Sequence, residues 1–307
     1  ESLSNKQRQR HIKKSLKSIK MNSGNISIIG KPNVGKSTLF NLLISKHLAG
    51  ATRKPQTTRH KIDGVLHEND TEYIFVDTPG INFNIRKDFN RILNKNALTA
   101  MHEADVILHI INYNKIDEDD YKVIENIKNI SSSKILVLNK IDLDKNKNKL
   151  PTILSKIPKE IAGIYDEIIP ISSKKSENIT KLKNIIKKYL PVNREKKFNG
   201  IISTKPSEFF VAEYVREACI KYLSVEVPYS LHVEINKFED EENLISVAAT
   251  IFLKKNSHLS IVIGKNGSML VKISKFARIN SEKLFNKKVY LKIFVKYDPR
   301  WKNSESF

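Results

Sequence analysis

Short runs of apolar residues recur along the first two-thirds of the chain, at 25–29, 61–67, 72–77, 105–112, 134–139 and 166–171. Runs of this length, bounded by polar or glycine residues, predict strands, and those apolar at nearly every position predict strands buried on both faces. Between them, apolar residues three and four apart predict helices over 36–46, 87–101, 118–130 and 176–189. Strand and helix in alternation specify an α/β fold with a doubly wound sheet. The rhythm breaks at Pro191-Val192-Asn193-Arg194-Glu195-Lys196-Lys197, the candidate linker. A second pattern follows: a helix over 207–223, strands over 229–238 and 243–254 joined by the polar loop Glu239–Asn243, a helical pair, and a strand over 288–297. The expected division is an amino-terminal arm (1–22), a first domain (23–190), a linker (191–206), a second domain (207–302) and a tail (303–307).

Charge changes this picture. The 54 Lys and Arg against 33 Asp and Glu give a net charge of +21, which points to a polyanionic partner: RNA, DNA or an anionic membrane surface. A lysine-rich coding bias raises Lys without forcing such an excess over acids. No apolar run approaches the ~18 residues a membrane span requires. The single cysteine, Cys219, excludes a disulfide framework or a CxxC site and suits a reducing compartment; its helical neighbourhood predicts a packed thiol. The eight histidines show no metal-binding spacing, and His109, inside an apolar strand, reads as a hydrogen-bonded core residue. The acidic cluster Asp117–Asp120 reads as a solvated helix start.

The chemistry is carried by motifs at strand ends. Gly30-Lys31-Pro32-Asn33-Val34-Gly35-Lys36-Ser37, followed by Thr38, fits G-x-x-x-x-G-K-[ST] between a strand and a helix, the context of a phosphate-binding loop. Its N–H groups suit an anion, Lys36 the outer phosphates and the Ser37 hydroxyl Mg²⁺. Asp77-Thr78-Pro79-Gly80 closes another strand. Asp77 suits Mg²⁺, and the Gly80 N–H can sense a terminal phosphate. Within Gln56-Thr57-Thr58-Arg59-His60 either threonine can be the second metal ligand, Thr58 being favoured. Asn139-Lys140-Ile141-Asp142 ends a further strand, and the Asp142 carboxylate matches the N1–H and N2–H₂ edge of guanine, which adenine lacks. Ile171-Ser172-Ser173-Lys174 offers further contacts to the base. The order of these segments reads as a GTPase site, with Lys36, Thr58 and Gly80 the candidates for direct contact with the reacting phosphate.

These residues, with Lys54-Pro55 before the threonines and the pattern from Ser207 onward, resemble the Era family of GTPases, within the TrmE–Era–EngA-like superfamily, over about residues 24–302. The resemblance implies a P-loop GTPase sheet followed by an α+β KH domain of type II. It implies GTP/GDP and Mg²⁺ as ligands, and binding of the 3′ region of small-subunit ribosomal RNA during assembly of that subunit. A monomer in the bacterial cytoplasm, touching the anionic inner membrane peripherally, or alternatively an organelle matrix or stroma, is the implied setting. Gly264-Lys265-Asn266-Gly267 then reads as the KH clamp for about four nucleotides, with Lys272, Lys275 and Arg278 extending the contact and bases lying against Ile261, Ile263 and Ile273. Ile81 follows Gly80 where many signalling GTPases carry a glutamine that orients water. Asn33 matches the loop asparagine that holds K⁺ in related GTPases, so slow, K⁺-stimulated hydrolysis is implied. The arm over 1–22, with seven Lys/Arg and one Glu, is open between an RNA-touching extension, a targeting remnant and foreign sequence, with Met21 a candidate start.

Overall fold

The apolar runs of the first two-thirds pair into one six-stranded sheet of order β2–β3–β1–β4–β5–β6. Its strands are β1 (Asn22–Ile29), β2 (Ile62–Glu68), β3 (Thr71–Asp77), β4 (Val106–Asn112), β5 (Ser133–Asn139) and β6 (Glu167–Pro170). The computed structural model describes residues 21–52, 54, 57–80, 97–144, 151, 155, 157–192, 197, 198, 200–224 and 226–299. All neighbours are parallel except the β2–β3 pair, which the short 69–70 turn makes antiparallel. Helices α1 (Lys36–Ile44), α2 (Glu118–Ile127) and α3 (Ile179–Tyr189) flank it. Their apolar faces close two cores against Ile26, Ile28 and Leu108 on one side and Ile29, Ile107 and Leu136 on the other. β1 leaves the sheet where strand order reverses, so the loops after β1, β3, β5 and β6 open into one crevice.

Some boundaries differ from expectation for local reasons. β1 begins at Asn22, inside the expected arm, because Asn22 to Ile28 pair with β3 from Thr71 onward. α1 stops at Ile44 because Ser45 takes a left-handed conformation, and α3 starts three residues late because Ser176 and Asn178 do the same. Of the predicted 87–101 helix, residues 97–102 are helical, and 87–96 lie outside the described residues. So do the arm up to residue 20, Pro55, Gln56, Ile81, the linker residues 193–196 and the tail.

The second layer holds α4 (Ser207–Tyr222), β7 (Leu231–Asp240), β8 (Leu244–Leu253), α5 (His258–Ile263), α6 (Ser268–Phe285) and β9 (Lys288–Tyr297). β8 is central, antiparallel to β7 and parallel to β9. β7 starts two residues late because Val227–Ser230, with Pro228, forms a 3₁₀ turn. From Phe209 to Ile220 every residue of α4 is buried, which needs neighbours on all sides: the small sheet and α6 on one, the layer of the six-stranded sheet on the other. That explains Cys219, which is fully buried and whose thiol burial pushes up to about 12. Residues leading into α4 run along the edge of β2: Val65 N–H donates to Ile202 C=O at 2.7 Å, and Asp63 accepts from Thr204 N–H and hydroxyl at 2.7 Å each. The edge strand is thereby covered. Among the described residues no helix is long and apolar enough to cross a membrane.

Candidate functional site

After β1 the chain turns through three residues with positive φ, Gly30 (142°), Asn33 (64°) and Gly35 (103°). A Cβ on Gly30 would lie 2.4 Å from Ile110 O, and one on Gly35 2.4 Å from Asn139 Nδ2, so both positions require glycine. The loop delivers the start of α1 with no side-chain cap, leaving its N–H groups for an anion. Lys36 is buried, and its ammonium donates to Lys31 C=O at 3.0 Å. Burial pulls its pKa down to about 8, against the pull of Asp77. A cation held in this way favours an anionic ligand beside it.

Three oxygen side chains meet next to Lys36. Asp77 Oδ2 accepts from Ser37 Oγ at 2.7 Å and from Thr58 Oγ1 at 3.2 Å, and the two hydroxyls stand 2.9 Å apart. Asp77 is fully buried, its Oδ1 has no partner, and burial pushes its carboxyl up to about 6. A carboxylate with an orphaned oxygen and two hydroxyls is an oxygen-only donor set, which fits Mg²⁺: a bound cation would discharge the strained acid. Thr57 stands elsewhere, bonded to Lys54 C=O at 2.8 Å and Thr52 Oγ1 at 2.7 Å. Gly80 lies against the loop; a Cβ there would meet Pro32 at 3.0 Å and Lys36 Nζ at 3.1 Å.

At the far end, Asn139 knots three segments together. Its Nδ2 donates to Val34 C=O at 2.8 Å, and its Oδ1 accepts from Lys140 N–H at 2.8 Å and from Ser173 N–H and Oγ at 3.0 Å. Lys140, at φ 70°, reaches back to Asn33 C=O at 2.6 Å. Ser172 Oγ donates to Asp142 Oδ1 at 2.6 Å, which orients the carboxylate. Between the two ends lies a cavity of about 540 Å³. Pro32, Asn33, Gly35, Lys36, Ser37 and Thr38 line its phosphate end with Thr58 and Gly80; Asn139, Lys140, Asp142, Ser173 and Lys174 line its base end.

Other predicted residues support the cavity from behind. Val34 is core, Thr78 Oγ1 donates to Ile28 C=O at 2.8 Å, and Gly30 and Pro79 are buried. Lys31 turns away to Asp117 and Asp120. The acidic cluster is therefore not merely solvated: Asp117 caps α2 in a capping box, while Asp120 is fully buried against Lys31. His109 is the hydrogen-bonded core histidine expected, with Nδ1 2.7 Å from Tyr165 Oη.

Gly50, Ala51, Thr52, Lys54 and Leu143 also line the cavity. No periodicity marks the first four, and Leu143 carries no chemistry that a motif could flag. Ala51 and Lys54, with His47 and Arg59 on either side of them in the chain, are joined to the second layer. Ala51 N–H donates to Glu217 Oε1 at 3.0 Å, His47 Nε2 is 2.7 Å from Glu217 Oε2, and Lys54 Nζ donates to Leu223 C=O at 2.7 Å. Tyr214 Oη bonds His47 C=O, and Arg59 reaches Pro228 and Leu231 carbonyls at 3.0 and 3.3 Å. Burial first, then Arg216, lowers the Arg59 pKa to about 10.

In the second layer Gly264 and Gly267 both have positive φ (74° and 77°). A Cβ on Gly264 would strike Met269 at 2.7 Å, whereas one on Gly267 would meet nothing within 4 Å: that side is open to an approaching backbone. Lys265, Asn266, Lys272 and Lys275 are exposed, and Arg278 pairs with Glu282 at 2.9 Å. Ile261 and Ile263 are exposed beside the loop, but Ile273 is fully buried, because helical periodicity turns it into the core; on the same helix Val271 is 65 % exposed.

Two family models match the chain, a 50S ribosome-binding GTPase over residues 25–140 and a KH domain over residues 226–302. The GTPase Era of Nitrosomonas eutropha is 38% identical over 282 residues, 91% of this chain and 93% of that protein. GTPase Era of Coxiella burnetii is 36% identical, covering 92% and 95%. The crystal structure of Era with MgGDPNP and nucleotides 1506–1542 of 16S ribosomal RNA superposes with a TM-score of 0.86 at 34% identity, over 93% of this chain and 96% of that one. An Aquifex aeolicus Era variant bound to GDP·AlF4⁻ matches equally well, over 93% and 97%.

Proposed function

Since the chain belongs to the Era family of GTPases, we propose that it is a GTP-switched RNA-binding factor acting on the 3′ region of small-subunit ribosomal RNA during assembly of that subunit. The observation that carries the switch is a shared segment: Gly50, Ala51, Thr52, Lys54, Thr57 and Thr58 line the cavity, and Ala51 and Lys54 among them are bonded to Glu217 of α4 and to Leu223 at its end. Nucleotide state and KH geometry then act on one piece of chain.

In this reading the N–H groups around Gly35 to Thr38 cradle the phosphates, Lys36 neutralises outer-phosphate charge, and Gly80 senses the terminal phosphate. Ser37, Thr58 and Asp77 would hold Mg²⁺, which supplies charge neutralisation at the phosphates. Asp142, oriented by Ser172, pairs with guanine, and Lys140, Ser173 and Lys174 enclose the base. Asn139 acts as the knot that holds these loops in register. Asn33, exposed at the lip of the cavity, is read as a K⁺ ligand, so hydrolysis is slow and faster in KCl than in NaCl; equal rates in the two salts exclude that role. Gly264 to Gly267, with Lys272 and Lys275, bind the RNA backbone. The residues before β1, residues 191–206 and residues 303–307 are read as arm, linker and tail.

The test is the affinity for a single strand copying the rRNA 3′ end, with a non-hydrolysable GTP analogue, with GDP, and for Gly267→Asp. Tight binding only with the analogue, lost in the variant, supports the switch; equal binding in both states makes the protein a passive RNA module. The proposal extends to a monomer in the bacterial cytoplasm. Light scattering checks the monomer, and vesicle sedimentation without RNA checks a peripheral contact with anionic membrane.

A further inference from the structure

Four large aromatic side chains are exposed among the described residues, and three of them, Tyr290 (62 %), Phe294 (42 %) and Tyr297 (45 %), belong to one ten-residue strand, β9. Side chains alternate across a strand, so Lys288, Tyr290, Lys292, Phe294 and Lys296 share the face turned away from the helices, while Val289 and Leu291 face the core. Tyr290 and Phe294 stand about 13 Å apart along that face, at about 3.3 Å per residue. Lys292 Nζ lies 5.0 Å from the Phe294 ring centroid. None of Lys288, Lys292 and Lys296 has an ion-pair partner among the described residues. Within the three strands the acids on this face, Glu234 and Glu239, are two strands away on β7, and Glu239 is taken by Lys237 at 2.7 Å; Asp298 follows the end of β9.

Lysines on an edge strand have an ordinary use, since they discourage edge-to-edge pairing. That accounts for the charge and not for the rings, because exposed rings promote the association that the lysines oppose. Rings interleaved with unpaired cations do suit a chain that offers both flat π-faces and phosphates. The position agrees. α6 runs back along β9, with Glu282 near Val289 and Ser274 near Leu291, so the Gly264–Gly267 turn lies toward the Lys296–Tyr297 end of the strand.

We propose that the outer face of β9 is a second track for single-stranded RNA, with bases stacked on Tyr290 and Phe294 and phosphates on Lys288, Lys292 and Lys296, continuing from the Gly264–Gly267 site. The inference rests on the reading of the protein as an RNA binder. It predicts that a short strand, long enough only for the glycine turn, ignores this face, and a longer one uses it.

The test uses the full chain with the GTP analogue and two single strands copied from the small-subunit rRNA 3′ end. One is about six nucleotides, just over a KH clamp, and the other about twenty, the clamp plus the track. Tyr290→Ala/Phe294→Ala is expected to weaken the long strand about tenfold or more and leave the short one unchanged. Lys288→Glu/Lys292→Glu/Lys296→Glu is expected to lower the slope of log affinity against log salt for the long strand by about two, at ~0.7 per phosphate contact. Both sets are surface changes, and a thermal melt confirms the fold. Unchanged long-strand affinity in the ring variant overturns the proposal and leaves the face to another partner. Equal weakening of both strands also overturns it, since the rings then merely support the groove. If the unaltered protein binds neither strand, the RNA reading itself falls, and this track with it.

Discussion

The side chain of Lys31, a residue of the phosphate-binding loop, lies 2.9 Å from Asp120, a fully buried carboxylate at the start of α2. Asp117 shares the same ammonium. Burial works against the charge on Lys31, but the bonds to Asp117 and Asp120 outweigh it and hold its pKa above the usual value. The carbonyl of Lys31 is also the acceptor for Lys36. One residue thus fixes the loop to the sheet's flank and places the lysine that meets the phosphates.

Lys31→Met should therefore act twice. It leaves Asp120 buried without its counter-charge, a loss of about 3 kcal/mol in urea unfolding, and it weakens GDP binding because the acceptor for Lys36 is no longer held. Lys31→Arg, which keeps the charge, should restore most of both. Stability lost with GDP affinity unchanged would show that the clamp serves the fold alone.

His109 gives a pH dependence. It is fully buried, and desolvation first, then Lys31 and Lys36, depresses its pKa to about 3. In the unfolded chain it titrates near 6.5. Between these values the unfolded state binds the extra proton, so stability is full above pH ~6.5 and declines as pH falls, by up to about 1.4 kcal/mol per unit. His109→Gln should flatten the decline between pH 5 and 6.5; Asp77, whose buried carboxyl also titrates in that window, is common to both proteins and drops out of the comparison. Urea midpoints across that window measure it; parallel curves for the two proteins would assign the acid limb to other groups.

The guanine end can be tested by exchange of one atom group. Asp142→Asn presents an amide donor to the N1–H edge of guanine, so GTP affinity should fall about 100-fold or more. Affinity for a xanthosine nucleotide, which carries a carbonyl at the 2-position, should rise. Ser172→Ala removes the bond that orients Asp142 and the one Ser172 Oγ accepts from Lys175 N–H at 3.1 Å, and should cost about tenfold at most. Titration with fluorescent guanosine and xanthosine nucleotides separates the two effects.

The elements and the phosphate loop were legible because each depends on local pattern: apolar runs for β1, β3, β4 and β5, and glycines where Ile110 O and Asn139 leave no room for a Cβ. The partners of Lys31, the knot at Asn139 and the lining by Gly50, Ala51, Thr52 and Lys54 were not. Each joins residues that are distant along the chain, 86 to 89 positions for Lys31 and 105 for Asn139 to Val34, and no period encodes such a contact. Ile273 shows a different limit: the apolar character of α6 was visible, but which side of that helix faced the core depended on where β9 packed.

Glu217 is where the two layers meet most directly. Buried in α4, it accepts from Ala51 N–H and engages His47, while Lys54 and Arg59 bond carbonyls of the same layer nearby. Removing a hydrogen-bonded buried carboxylate of this kind costs about 2 kcal/mol, and here the cost falls on the interface and not on either core. Glu217→Ala should therefore split thermal unfolding into two steps, the GTPase layer and the KH layer melting separately, while GDP affinity stays within a few fold because Glu217 does not line the cavity. If Gly50 to Thr58 carry the nucleotide signal, the same variant should bring the ratio of RNA affinities with GTP analogue and with GDP toward one. A variant that melts in two steps yet keeps the full ratio would move the signal to another path between the layers.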